Sequence, residues 1–386
     1  MKFSCNTVDI LQALQLVNRA ISSQQALPIL GNILFRAEGS SCTVSATDLE
    51  LSIVTYFPAD IEREGAITIP AKAILNFAQY NTDPSIILEA VEGTQLRCTS
   101  THSKTVLSGE LATEYPTITP VEKKSSFTLD TASLLEALNL VTFSSARSSL
   151  RPVLSGVSLR TEGGKFILVA TDSYRLSEFI VDAAAPEDVS CIIPVKVLEE
   201  VKMMLAAEKA PKRTPTEEGE KEGARSEAKP IEITLGAQQI EVRIGHTQLL
   251  SRLIDGKFPD YRQIIPKEHT CKAILSVREL TTAVKRMHYF AKEVNNNLTF
   301  SLDASLAHIS TPQTQLGKDE TTIPTEMTGA PSKIALSSSY LLDFLSHINT
   351  DVIEMEVTDS QHPAVFRVPT NTKFLHLVMP LRMQES

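Results

Sequence analysis

What the 386-residue chain does not contain excludes several classes of protein. No run of about 18 apolar residues occurs, so no segment reads as a membrane-spanning helix. The opening MKFSCNTVDILQALQLV has neither a continuous apolar core nor a cleavage site. It reads as a strand entering an amphipathic helix rather than as a secretory signal, and the expected location is cytoplasmic. The five cysteines, Cys5, Cys42, Cys98, Cys191 and Cys271, are odd in number, widely spread and without a CxxC. That fits reduced thiols and argues against a disulfide framework or a zinc site. The eight histidines form neither HxxxH nor HExxH, and no P-loop or GxGxxG pattern occurs. The sequence therefore implies no metal and no cofactor. A net charge of −9 disfavours a chain that grips nucleic acid over its whole surface, but not one with a single localised basic face.

What is present is an ordinary globular composition, 42% hydrophobic and 22% charged, in a chain long enough for two to four domains. It is also repetitive. ATDLELS (Ala46–Ser52) returns as ATDSYRLS (Ala170–Ser177), a domain's length of roughly 120 residues later. AITIPAKAIL (Ala66–Leu75) rhymes with CIIPVKVLEEV (Cys191–Val201), where Pro suits the first turn of a helix. A third version, KIALSSSYLLDFL (Lys333–Leu345), offers serines as helix caps. EYPTITP (Glu114–Pro120) and FPDYRQIIP (Phe258–Pro266) are matching aromatic-Pro exits, VMPLR (Val378–Arg382) reads as an exit strand, and ISTPQTQLG near Ser310 is a degenerate third ATD. The mixed-charge, aliphatic-poor Glu208–Pro230 reads as a disordered insertion, because it buries too little apolar surface to offset its ordering entropy.

Three α+β units follow: 1–122, 123–266 and 267–386. Each has a first helix (near Val8–Ser22, Thr131–Ser145, Val277–Ala291), a second helix (near Ala71–Tyr80, Val195–Ala207, Ser338–Ile348) and alternating strands between and after them. Asp48 and Asp172 read as turn formers at strand ends, bonding nearby backbone amides. The alternative is a carboxylate pair of a metal-assisted nucleic-acid enzyme, against which no His or third acid clusters with either. Gly163-Gly164 reads as a hairpin turn.

Taken together and in order, MKF, LPILGN, ATDLE, RPVLSGV, ATDSYRL, LIDGKFPDYRQIIP and VMPLR resemble the bacterial DNA polymerase III beta subunit, the replication sliding clamp, over nearly the whole chain. The resemblance implies a DNA-clamp architecture of three tandem similar domains. Two chains would lie head to tail in a ring, with helices lining the hole and sheets outside. Such a ring is no enzyme; it encircles double-stranded DNA and tethers polymerases. A repeat scaffold with no DNA role is the remaining alternative.

The residues it implies fall in three sets. Facing DNA would be Arg19, Gln24, Lys72, Arg147, Arg151, Lys196, Lys202, Arg278, Lys285 and Arg286, which taken singly read as solvated helix faces. Gln24 stands where many relatives carry a basic residue, so static DNA affinity should be weak and salt-dependent. A pocket for short linear peptides of polymerases and the clamp loader would take Leu154, Thr171, Ser173, Tyr174, Arg175, Leu176, Pro259, Gln263, Ile264, Tyr340, Pro363, Val378, Met379, Pro380, Leu381 and Arg382. Its apolar members suit Leu or Phe anchors, and Arg175 and Arg382 would bond peptide carbonyls or carboxylates. The residues alone read Leu154, Val378 and Leu381 as core. The seam between subunits would set Thr105 and Leu107 against Tyr289 and Phe290, with Thr105 less apolar than is typical in relatives. The tail MQES runs past the usual family end.

Overall fold

Alternation in the sequence becomes alternation in burial. Along the strand Leu51–Pro58, Leu51, Ile53, Thr55 and Phe57 point into the core while Tyr56 stays exposed. The computed structural model describes residues 1–24, 27–91, 94–147, 150–186, 189–209 and 230–383. Most of the expected insertion and the end of the MQES tail lie outside the described residues.

Six α-helices are present among the described residues: α1 Thr7–Val17, α2 Ala71–Tyr80, α3 Thr131–Val141, α4 Val195–Lys209, α5 Val277–Ala291 and α6 Ser338–Ser346. They fall where the apolar periodicity places them. On α1, Asn6 caps the start by accepting the Val8 amide at 2.8 Å, and Ile10, Ala13, Leu14 and Val17 form the buried stripe. On α5 the capping residue is Ser276, whose hydroxyl accepts the Glu279 amide, and Leu280, Ala283, Val284, Met287 and Ala291 are buried.

The chain forms two compact units. Residues 1–131 and 203–253 make the first, with a five-stranded and an eight-stranded sheet; α1 packs on α2 and on the strand Leu51–Pro58. Residues 132–202 and 254–386 make the second, around a twelve-stranded sheet in which α5 packs on α6 and Phe166, Phe179, Phe300, Phe344, Phe366 and Phe374 are fully enclosed. The strands of residues 123–266 are shared out between these two units. The order strand, helix, hairpins, helix, strands recurs three times along the α+β chain.

Four local expectations are corrected. Pro70 is not in the first turn of α2 but at its N-cap, with ψ 121°, because it is still paired with Asn32 in its strand. Likewise the strand Ser190–Pro194 runs through Pro194 before α4 begins at Val195. Ser337 is the N-cap of α6, but its side chain makes no capping bond. The last strand, Asn371–Val378, ends where VMPLR was expected to begin one, and residues 379–383 continue without strand pairing. Gly163 and Gly164 close the Glu162–Lys165 hairpin with φ of 57° and 75°, which a residue with a Cβ adopts only at a cost. All five cysteines are free thiols. Burial pushes Cys5, Cys98 and Cys191 up to about 12 and raises Cys42 and Cys271 as well, so none is poised as a thiolate.

Candidate functional site

The repeated Ala-Thr-Asp is a repeated turn. The Thr47 hydroxyl donates to the Leu51 carbonyl at 3.1 Å and accepts the Leu49 amide at 3.0 Å. Asp48 Oδ1 accepts the amides of Glu50 and Leu51 at 3.1 and 2.8 Å. The same four bonds recur at Thr171 and Asp172: hydroxyl to the Arg175 carbonyl at 2.6 Å, Ser173 amide to hydroxyl at 3.1 Å, and Oδ1 to the amides of Tyr174 and Arg175 at 2.9 and 3.0 Å. In both turns the residue after Asp has positive φ, 76° at Leu49 and 80° at Ser173. That conformation costs a non-glycine residue about 1 kcal/mol or more, which the side-chain bonds offset. In the third copy Thr311 keeps only the bond that closes the loop: its hydroxyl donates to the Asp319 carbonyl at 3.4 Å, and the amide it accepts, at 3.0 Å, is that of Asp319 itself, across a longer loop. Among the described residues no group of three or more His, Cys, Asp and Glu could hold a metal.

The second turn opens onto a groove in the second unit. Thr171, Ser173, Arg175 and Leu176 from the turn and its strand, Pro259, Asp260, Tyr261 and Ile264 from the following loop, and Leu377 and Met379 from the end of the last strand line a cavity of about 120 Å³. Tyr174, 61% exposed, stacks on Tyr340 at 6.4 Å beside it. Gln263 is bonded to Asp260 at 2.8 Å. The Met379 amide donates to the Tyr174 carbonyl at 2.8 Å, and the Leu381 amide to Ala335, also at 2.8 Å. Pro380 and Leu381 are half-buried, Arg382 is exposed, and its carbonyl accepts from Asn297. Leu154, Pro363 and Val378 are buried and stand outside the lining. Pleating explains Val378: Leu377 and Met379 face the groove, so the residue between them faces the other way.

Arg175 differs from the sequence reading. Its guanidinium is buried and already engaged, by Asp172 at 3.1 Å and Asp343 at 2.8 Å, and it lies between the rings of Tyr340 and Phe143 at 4.7 and 5.7 Å. It forms a wall of the groove rather than a donor waiting for a ligand. Sequence reasoning missed Asp260, Tyr261, Leu377, Phe143 and Asp343. Tyr261 and Asp260 sit inside the quoted FPDYRQIIP, whereas nothing in LLDFL marks Asp343 as the partner of an arginine far away in the chain.

The basic residues proposed to face DNA separate by their surroundings. Lys72, Arg147, Arg151, Lys196, Arg278 and Lys285 are exposed, as is Gln24. Arg19 is exposed and reaches the Met203 sulfur at 3.2 Å, and Arg151 reaches Ser173 at the groove rim at 3.5 Å. Lys202 is held by Glu199 at 2.5 Å and by the Thr142 hydroxyl at 3.2 Å, and Arg286 makes a two-pronged contact with Asp319 at 2.9 and 3.2 Å.

Of the seam residues, Thr105 and Leu107 lie on Lys104–Ser108, the edge strand of the five-stranded sheet. With Lys72, Phe77 and Tyr80 of α2 they line an open groove of about 660 Å³. Tyr289 and Phe290 meet edge to face at 5.5 Å at the end of α5, with Tyr289 64% exposed.

Three family models match the chain: the N-terminal, central and C-terminal domains of the DNA polymerase III beta subunit, over residues 1–119, 128–213 and 262–382. The beta sliding clamps of Synechocystis sp. and Vibrio cholerae are each 26% identical to the chain, over 99% of it and 100% of their own length. Among solved structures, the DNA polymerase sliding clamp from Bacillus subtilis superposes with a TM-score of 0.90 at 25% identity over 100% of both chains. The DNA polymerase III subunit beta from Pseudomonas aeruginosa does so with a TM-score of 0.90 at 26% identity, over 99% of this chain and 100% of that one.

Proposed function

The chain belongs to the DNA polymerase III beta subunit family, and from that premise we propose that it is a DNA sliding clamp, a ring that encircles duplex DNA and tethers the replicative polymerase for processive synthesis. The observation that carries this reading is the repeat itself. The chain writes one architectural unit three times, with proposed domains at 1–122, 123–266 and 267–386, so each step from unit to unit can repeat one rotation, and head-to-tail contacts of that kind form a ring when the rotation closes.

The repeats also suggest how two copies close the ring head to tail. Inside the first unit, the strand after the Thr47 turn pairs antiparallel with Thr247–Arg252, Ile53 opposite Leu249. Inside the second, the strand after the Thr171 turn pairs with Asn371–Val378, Ser177 opposite His376. Leu249 is reached from Phe127 across Ile233 and Val242, and His376 from Ala273 across Met355 and Phe366. The same steps from Phe3 pass Leu88 and Cys98 and arrive at Thr105, on the sheet edge. In the third repeat the residue at the offset of Ile53 and Ser177 is Thr321, because the Thr311 hydroxyl bonds Asp319 as Thr47 bonds Leu51. The proposed seam therefore pairs Thr105 of one copy with Thr321 of the other, adding a strand to each edge, and seats Tyr289 and Phe290 in the groove of Phe77, Tyr80 and Leu107.

Exposed Lys72, Arg147, Lys196, Arg278 and Lys285 supply sequence-blind phosphate contacts, joined by Arg19 and by Arg151 at its rim position. Lys202 and Arg286, already paired, add little. Short peptides of the polymerase and clamp-loader subunits dock in the groove of Leu176, Pro259, Ile264, Leu377 and Met379, with an apolar anchor in the cavity. Extension of a primed single-stranded circle tests the function. Together with its cognate loader and polymerase the chain should lengthen the products of a single binding event at least about tenfold. Products of unchanged length would refute the assignment.

A further inference from the structure

We propose that Arg160, Tyr261 and Glu178 are positioning residues for the peptide groove: they fasten the loop Phe258–Ile265 to the sheet, so that its wall stands in place before a partner arrives. The inference rests on reading that groove as the partner site.

The loop has little regular structure of its own. Its one helical turn, Arg262–Ile264, contributes two backbone bonds, Ile264 amide to Tyr261 at 3.1 Å and Ile265 amide to Arg262 at 3.3 Å. It nevertheless supplies Pro259, Asp260 and Ile264 to the cavity. Tyr261 is what roots it. Its ring is buried with Ile167, Val169, Leu176, Val365, Leu375 and Leu377, and Phe258 and Ile265 pack around that cluster. Only its hydroxyl is polar, and it has a partner on each side: it accepts from Arg160 Nη2 at 2.6 Å and donates to Glu178 Oε2.

Arg160 and Glu178 stand on two strands of the sheet, Gly156–Glu162 and Arg175–Val181, the second of which also carries Arg175 and Leu176 of the groove. Both charged side chains are largely covered, 21% and 18% exposed, so the bonds to the hydroxyl are little screened by water. A second tether, Arg262 to Glu162, lies in solvent with both side chains about half exposed and contributes little. Tyr115, in the matching exit of the first repeat, is bonded instead to the main chain, to the Thr47 amide and the Asn32 carbonyl. The ionic clamp is thus particular to the exit that borders the groove. A wall held in its binding shape spares the partner the cost of ordering it, and that cost appears in the association rate when only a fraction of molecules is competent.

The test compares Tyr261→Phe and Glu178→Leu with Arg262→Ala as control, in the full chain. Amide hydrogen exchange at Ile264 and Ile265 reports the loop without a ligand. Stopped-flow binding of a fluorescein-labelled peptide with adjacent Leu and Phe reports the groove. Tyr261→Phe and Glu178→Leu should speed exchange at these two amides and slow association about five- to tenfold with dissociation unchanged, while Arg262→Ala stays within about twofold. Should one of the two fail to fold, the other carries the comparison. Unchanged exchange and association in both, or an effect confined to the dissociation rate, would overturn the proposal. A wild-type chain that protects these amides but does not bind the peptide would instead overturn the groove reading beneath it.

Discussion

At the scale of single residues, His376 contributes to the acid response of the second unit. It is fully buried, with Nδ1 2.9 Å from the Ser177 hydroxyl, which lies 2.8 Å from that of Ser144. Its ring is stacked on Phe344 at 4.6 Å, and Nε2 has no partner among the described residues. Burial first, and then the charges of Arg175 and His347, hold its imidazole well below the ordinary 6.5. Below pH 6.5 the unfolded chain therefore binds a proton that the folded chain refuses. The contribution is fully present above the unfolded value and is lost as pH falls below it, by at most about 1.4 kcal/mol per pH unit. Thermal unfolding followed from pH 7.5 to 5.5 should show the melting temperature dropping more in the wild type than in His376→Leu. Parallel curves would contradict the assignment.

The same scale separates what was legible from what was not. Asp48 and Asp172 could be read as turn formers because an Asx side chain bonds amides two and three residues on, a local geometry that sequence specifies. His376 could not be read as buried. In FLHLV both faces of the strand are covered, so no alternation marks a polar residue turned inward. Arg175 misled for a related reason: its partner Asp343 comes from α6, and long-range pairing leaves no trace in spacing.

At the scale of elements, helices are legible because a stripe such as Ile10, Leu14 and Val17 repeats with the helical period. Their ends are less legible, since Pro70 and Ser337 satisfy a strand and a helix start at once. The edge strand Lys104–Ser108 leaves Val106 49% exposed and its outer backbone edge without a strand among the described residues. Phe290→Asp would carry a carboxylate into the groove of Phe77, Tyr80 and Leu107, at a cost of several kcal/mol. Sedimentation should then show dimer association weakened at least about a hundredfold, with the fold of each copy retained. An unchanged dimer would show that the seam lies elsewhere.

At the scale of the whole molecule, a net charge of −9 and a thin set of exposed basic residues go with a mechanical link rather than a tight electrostatic one. The most direct measurement loads the labelled protein onto a nicked DNA circle with a clamp loader and passes the complex through a sizing column at about 0.5 M salt, where simple phosphate contacts are screened. The protein should stay with the circle and be released when a single cut makes the DNA linear. Loss from the intact circle at that salt, or retention on the linear form with free ends, would contradict the mechanical link.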